Sequence, residues 1–114
     1  MKVRKFSLED ATMERSPGQS GAIFTGDLVN DRDGAPVTIG YGRWEPFQTL
    51  EETMAVDDVM IILTGVLSVT HDEGQVAASA GDIVHMPKGR KVSIRTGSEG
   101  ATTAYVTYPH WRTA

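Results

Sequence analysis

Two carboxylates carry the first chemical suggestion in this chain. Glu45 closes the stretch Gly42-Arg-Trp-Glu45, and Asp58 opens an apolar run that ends at Gly65. A carboxylate among apolar neighbours has its neutral form favoured and its pKa raised, which suits general acid–base work. The same acids could equally serve structure, capping strand ends or pairing with Arg43 or Lys88. Asp57 is an alternative partner, but on a strand it and Asp58 face opposite ways, so only one enters an interior. Alternation also groups Tyr41, Arg43 and Glu45 on one face, with Gly40, Gly42 and Trp44 on the other. If the first face lines a cavity, Arg43 would hold the acids ionised or grip an anionic ligand through two hydrogen bonds. If it faces solvent, Trp44 is a core residue.

Other side chains stand as ligand-binding candidates. His85 lies inside a short apolar run, as a pocket base, a lone metal ligand or simply a core or surface histidine. His71 falls at a hairpin tip and His110 in a closing turn, between Pro109 and Trp111. Tyr105 and Thr107 share a face of the last strand, where a phenol could orient a ligand or merely span core and surface. The loop Lys88-Gly-Arg90-Lys91 could bind an anion or be a solvated turn. The sequence holds no phosphate-cradling glycine loop, no nucleophile elbow and no paired-histidine zinc signature.

The elements that must position these groups are short. Turn signals recur at Asn30-Asp-Arg-Asp-Gly-Ala-Pro36, Thr64-Gly65, Asp72-Glu-Gly74, Gly81, Pro87-Lys-Gly89 and Gly97-Ser-Glu-Gly100. Between them lie runs rich in Val, Ile, Thr and aromatics, over 22–29, 37–44, 59–63, 66–70, 75–78, 83–86, 92–95 and 102–108. Short strands at this spacing predict an all-β sandwich or barrel. A sharp turn or bulge at Gly65, a glycine corner at 81 and a hairpin tip at 72 predict an antiparallel meander suited to rolling into a small barrel. Only 8–15 reads as helical, with Ser7 as N-cap and Asp10 three residues on.

A chain of 114 residues with 39% hydrophobic content supports one domain, 1–114, with a modest core. The absence of Cys excludes disulfides, thiolate metal sites and cysteine nucleophiles. A net charge of −4 argues against a general nucleic-acid binder, and no apolar run is long enough to cross a bilayer as a helix. The basic start lacks an apolar signal core, which predicts a cytoplasmic protein.

Two segments resemble the paired core motifs of a cupin. Asp58, six residues and Gly65 match the end of the first motif, with Asp in place of the usual Glu. Gly81, five residues, Pro87, Lys88 and Gly89 match the second. Together with Gly42-Arg-Trp-Glu45 and Tyr105-Val-Thr-Tyr-Pro-His-Trp111, they resemble the group typified by the cupin domain of ethanolamine-utilisation protein Q and its relatives of ureidoglycine-hydrolase type. The resemblance implies an antiparallel cupin-type barrel or jelly roll with its core at about 22–111, and a homodimer. It also implies a setting in amine or ureide catabolism. The departures are informative. The paired histidine positions of the first motif hold Glu52 and Met54, or Glu51 and Thr53, and the histidine of the second holds Val92. Too few ligands remain for the usual divalent ion.

The expected function is therefore binding of a small polar metabolite. It would be coupled to metal-independent acid–base chemistry by Glu45 and Asp58, with Arg43, Tyr41, His85, Lys88, Tyr105 and Thr107 holding the ligand. The alternatives are a non-catalytic binding or accessory module, and a weak metalloenzyme using Glu52, Asp58 and His85. No cofactor, nucleic acid or membrane is expected.

Overall fold

The computed structural model describes residues 2–114. Its strands are β1 (Glu14–Arg15), β2 (Ile23–Val29), β3 (Thr38–Trp44), β4 (Thr49–Thr53), β5 (Asp57–His71), β6 (Gly74–Ser79), β7 (Ile83–Met86) and β8 (Lys91–Tyr108). All pairings are antiparallel, in the order β1-β2-β3-β8-β5-β6, with β4 added to β8 and β7 to β5.

The two long strands organise everything else. The first half of β5 and the second half of β8 lie side by side, flanked by β7 and β3. The second half of β5 and the first half of β8 also pair, flanked by β6 and β4. Each long strand thus serves two sheet layers, and the core fills the space between them. Ile62 and Leu67 are fully buried there, with Met86 and Ile94 at 2% exposure or less. Burying a side chain of this size stabilises by about 1.5–3 kcal/mol.

Two glycines let the long strands change layer. Before Gly65 the inward residues of β5 are Asp58, Met60 and Ile62; after it they are Leu67 and Val69. In β8 the inward set runs Val92, Ile94, Thr96, then Ala101, Thr103, Tyr105, Thr107. Parity switches in both strands, because the ladder slips between Ile62 and Thr64 and between Gly65 and Leu67. Gly65 (φ +78°) and Gly100 (φ +64°) occupy the left-handed region that glycine tolerates. A Cβ on Gly65 would lie 2.1 Å from the Gly100 carbonyl oxygen.

Several expectations are corrected. Of the turn or bulge expected at Gly65, the structure has the bulge, inside one strand, and the turn expected at 97–100 loops out of the β5–β8 ladder without ending β8. The topology is consequently a jelly roll built on two shared strands and not a simple meander. The expected helix over 8–15 is one 3-10 turn, Leu8–Asp10, in which the Ser7 amide donates to Asp10 Oδ2 at 2.6 Å. None of its residues is buried, so nothing would stabilise a longer helix, and Glu14–Arg15 pair with β2 instead. β4 was not anticipated. Its only apolar residue is Leu50, and it is held by pairing with β8.

Gly65→Ala should destabilise the fold by at least about 2 kcal/mol, through backbone strain and the clash with Gly100. Gly97→Ala, with nothing within 4 Å and no positive φ, should change it by no more than about 0.5 kcal/mol. Urea unfolding midpoints of the two variants test the difference.

Candidate functional site

A cavity of about 220 Å³ opens between the layers at the β4 end. Its wall is set by register. Across β2, β3, β8 and β5, Asp27 stands opposite Gly40, Gly40 opposite Tyr105, and Tyr105 opposite Met60. Neighbouring rows place Thr25, Gly42 and Thr103 on one side and Thr38, Thr107 and Asp58 on the other.

Gly40 and Gly42 are bare because the space above them is used. A Cβ on Gly40 would lie 2.5 Å from the Tyr105 hydroxyl, and one on Gly42 would lie 2.7 Å from Thr103 Oγ1. Tyr105 reaches over Gly40 and donates to Asp27 Oδ1 at 2.5 Å. The Asp27 side chain is 6% exposed. It also accepts from Trp111 Nε1 at 3.2 Å and Arg112 Nε at 2.6 Å. The C-terminal turn, Trp111–Thr113, is thereby tied to β2. Trp111 stands edge-on to Tyr105 with ring centroids 6.3 Å apart and forms part of the cavity wall. His110 fastens the same turn: Ala35 O can only accept, so Nε2 donates to it at 2.9 Å, and Nδ1 bonds Thr38 Oγ1 at 2.7 Å. Burial and the Asp27 carboxylate push the Tyr105 phenol far up, so it keeps its proton.

Asp58 is the most perturbed acid. Burial in the first place, and the nearby Glu52 charge in the second, push it up to about 7. Its Oδ1 is buried with no hydrogen-bond partner in the protein, as are Thr103 Oγ1 and Thr107 Oγ1 on the same wall. Glu52 stands at the rim, keeps solvent contact, and is raised by partial burial. A carboxyl group poised near neutrality beside a second acid can donate a proton and take one back at the same pH.

The structure divides the expected site residues. Asp58, Tyr105 and Thr107 line this cavity, and so does Glu52. Glu45, Arg43 and Tyr41 do not. Trp44 is the inward residue at 5% exposure, so alternation sends all three to the outer surface. Glu45 Oε1 lies 3.5 Å from Arg43 Nε, both about half exposed, and the Arg43 guanidinium sits over Phe24. The Glu45 carbonyl is fixed by Thr96 Oγ1 at 2.7 Å, which holds that turn in place. The expected pairing of Glu45 with Asp58 in one cavity is therefore corrected to Glu52 with Asp58. Sequence reasoning weighed Glu52 only as a metal ligand; its place opposite inward Val92 depends on β4, which carries almost no apolar signal.

His85 and Lys88 also lie outside. His85 Nε2 is 3.6 Å from Asp57 Oδ1 on the outer face, and the same oxygen accepts from the Lys88 amide at 2.9 Å. His85 borders a separate open depression with His71 and Arg90. Arg90 Nη2 there binds Asp72 Oδ1 at 2.5 Å and Glu73 Oε1 at 2.6 Å, holding the Asp72 carboxyl below its usual range. The arginine of the basic loop is thus already engaged.

The fold's usual metal does not fit these side chains. Val92, at the position where the resemblance expects a histidine ligand, is buried in the core cluster, and so is Met54. Of the three residues of the metal alternative, Glu52 and Asp58 share the cavity while His85 points away from it. Two carboxylates with neutral hydroxyls are a poor set for a borderline divalent ion.

The sequence matches the family described as ethanolamine utilisation protein EutQ over residues 2–113. A solved structure of a Rhizobium leguminosarum protein of unknown function is 57% identical, with a TM-score of 0.81, covering 96% of this chain and all of that one. The Escherichia coli protein named acetate kinase EutQ is 32% identical over 87 residues, 75% of this chain. The chain spans only 36% of that relative's length and 37% of its Salmonella typhimurium counterpart's. The cupin domain of Schizosaccharomyces pombe Cnp3, 15% identical, shares the fold with a TM-score of 0.76, covering 95% of this chain and 75% of that one.

Asp58 gives the stability a definite pH dependence. Its folded value lies above its unfolded one, so the folded state binds the proton more tightly, and stability is lost as pH rises from about 4 to about 7. Allowing for partial solvent access, the loss should be on the order of 2–4 kcal/mol. Urea unfolding between pH 4 and 8 should show this decline, and Asp58→Asn should flatten it.

Proposed function

The chain belongs to the ethanolamine utilisation protein EutQ family, on a cupin fold, and we propose that its barrel binds a small polar metabolite and performs acid–base chemistry on it. Asp58 is the proton donor and acceptor, Glu52 biases its charge state and offers a second carboxylate, and Tyr105 and Thr107 orient the ligand. The observation that carries this reading is the Asp58 carboxyl: buried, poised near 7, and with an oxygen that no protein group satisfies. Polar atoms buried without partners are rare and favour a functional explanation. Glu45, paired with Arg43 on the surface, takes no part in this scheme. A second reading is a binding module without turnover, in which the buried unpartnered hydroxyls of Thr103 and Thr107 serve to hold a ligand and nothing more.

Thermal-shift screening of small amines, acyl phosphates and ureides, and of acetate with ATP, followed by turnover assays on each hit, tests both. Asp58→Asn should lower kcat by on the order of a hundredfold or more while the protein stays folded. Glu45→Gln should behave as wild type. Turnover that survives Asp58→Asn overturns the catalytic reading, and binding without product favours the module.

We also propose that the chain forms a homodimer through the outer face of the β3-β8-β5-β7 layer. There Ile39, Val106 and Val59 form one cross-strand row, and Ala104, Ile61 and Ile83 the next. Ile83 is 66% exposed in the single chain. Sedimentation should give a dimer for wild type and a monomer for Ile83→Lys; a wild-type monomer removes the proposal.

A further inference from the structure

The charge and hydrogen-bonding polarity of the cavity select its ligand, if the cavity is the binding site proposed above. Its wall carries the acids Glu51, Glu52 and Asp58, and among the described residues no Lys, Arg or His lines it. Arg112, next in the chain to the wall residue Trp111, is committed elsewhere. Arg112 binds Asp27 and lies over the Trp111 ring at 4.4 Å from its centroid.

The neutral polar groups point the same way. Tyr105 spends its only proton on Asp27, so what its oxygen offers the cavity is a lone pair. Thr103 and Thr107 are 1% and 2% exposed, line the wall, and have hydroxyl oxygens without a partner. These are buried polar side chains directed at something the protein itself does not supply. An anion would meet carboxylates and the Tyr105 lone pair, with only the threonine hydroxyls as donors and no fixed positive charge to offset its desolvation. A donor-rich cation would meet acceptors on several sides. The remaining wall, with Trp44, Met60 and Ile94, is apolar and suits a short hydrocarbon chain; aromatic surface also favours a nearby cation.

We propose that the cavity takes a small primary alkylammonium compound, its NH₃⁺ group donating to Asp58, the Tyr105 oxygen and the threonine hydroxyls, and its carbon chain lying against Trp44 and Met60. This rests on the cavity being the functional site and adds the class of ligand.

The test uses three four-carbon probes of similar shape and different charge: n-butylammonium, butan-1-ol and butyrate. Isothermal titration into the full chain should show n-butylammonium binding at least about ten times more tightly than butan-1-ol, with no saturable binding of butyrate. Asp58→Asn should weaken n-butylammonium about tenfold or more, with a smaller loss for Tyr105→Phe. Circular dichroism would confirm that both variants are folded. Equal or tighter binding of butan-1-ol or butyrate, or no binding of n-butylammonium, overturns the ligand class. If butan-1-ol binds and Asp58→Asn abolishes it, the site reading stands and only the cationic class falls. If n-butylammonium binds equally well to Asp58→Asn, the site reading falls as well.

Discussion

The paired bulge at Gly65 and Gly100 is the constraint on which the rest of the barrel depends. A strand shows alternate residues to one face, so a long strand crossing between two layers would carry its apolar face out of the core. A single extra residue in the ladder resets the alternation. Here the reset occurs in both long strands at nearly the same level. It lets Met60 and Leu67, or Ile94 and Tyr105, face the same interior from opposite sides of the bend. It also brings Asp58, Thr103, Tyr105 and Thr107 of one layer to face Glu52, Leu50 and Ile94 of the other across the cavity.

Much of this was legible, and the failures have physical causes. Glycines at 65, 81 and 89 and the apolar runs between them marked an all-β barrel, because positive φ and strand alternation leave direct traces in sequence. The same traces do not distinguish a bulge from a corner. Thr64-Gly65 looked like a break, yet both residues pair with β8, whereas 97–100 do loop out of the β5–β8 ladder within one long strand. Asp58 was recognisable from its position at the head of an apolar run. Glu52 was not recognisable as its partner, since β4 is polar and exists only by pairing with β8. Glu45 misled for the converse reason. Its neighbour Trp44 is buried, but a residue next to an inward tryptophan faces out.

Val92 stands where the cupin resemblance expects a histidine, and Met54 stands at one of the alternative positions for another. Both side chains join the core cluster, so that end of the barrel gains packing where a metal shell would need polar groups. The surviving carboxylates are left with only each other and neutral hydroxyls for company. Burial consequently raises the pKa of both, and the Glu52 charge raises that of Asp58 further.

Asp27 joins residues far apart in the chain: it sits on β2 and holds Tyr105, Trp111 and Arg112. One wall of the cavity is therefore assembled from the earliest long strand and the final turn. During synthesis that wall cannot close until residues 111 and 112 have left the ribosome, although most of the barrel's other pairings are already available. A nascent chain stalled before them would hold every strand of the barrel and an open side on the cavity.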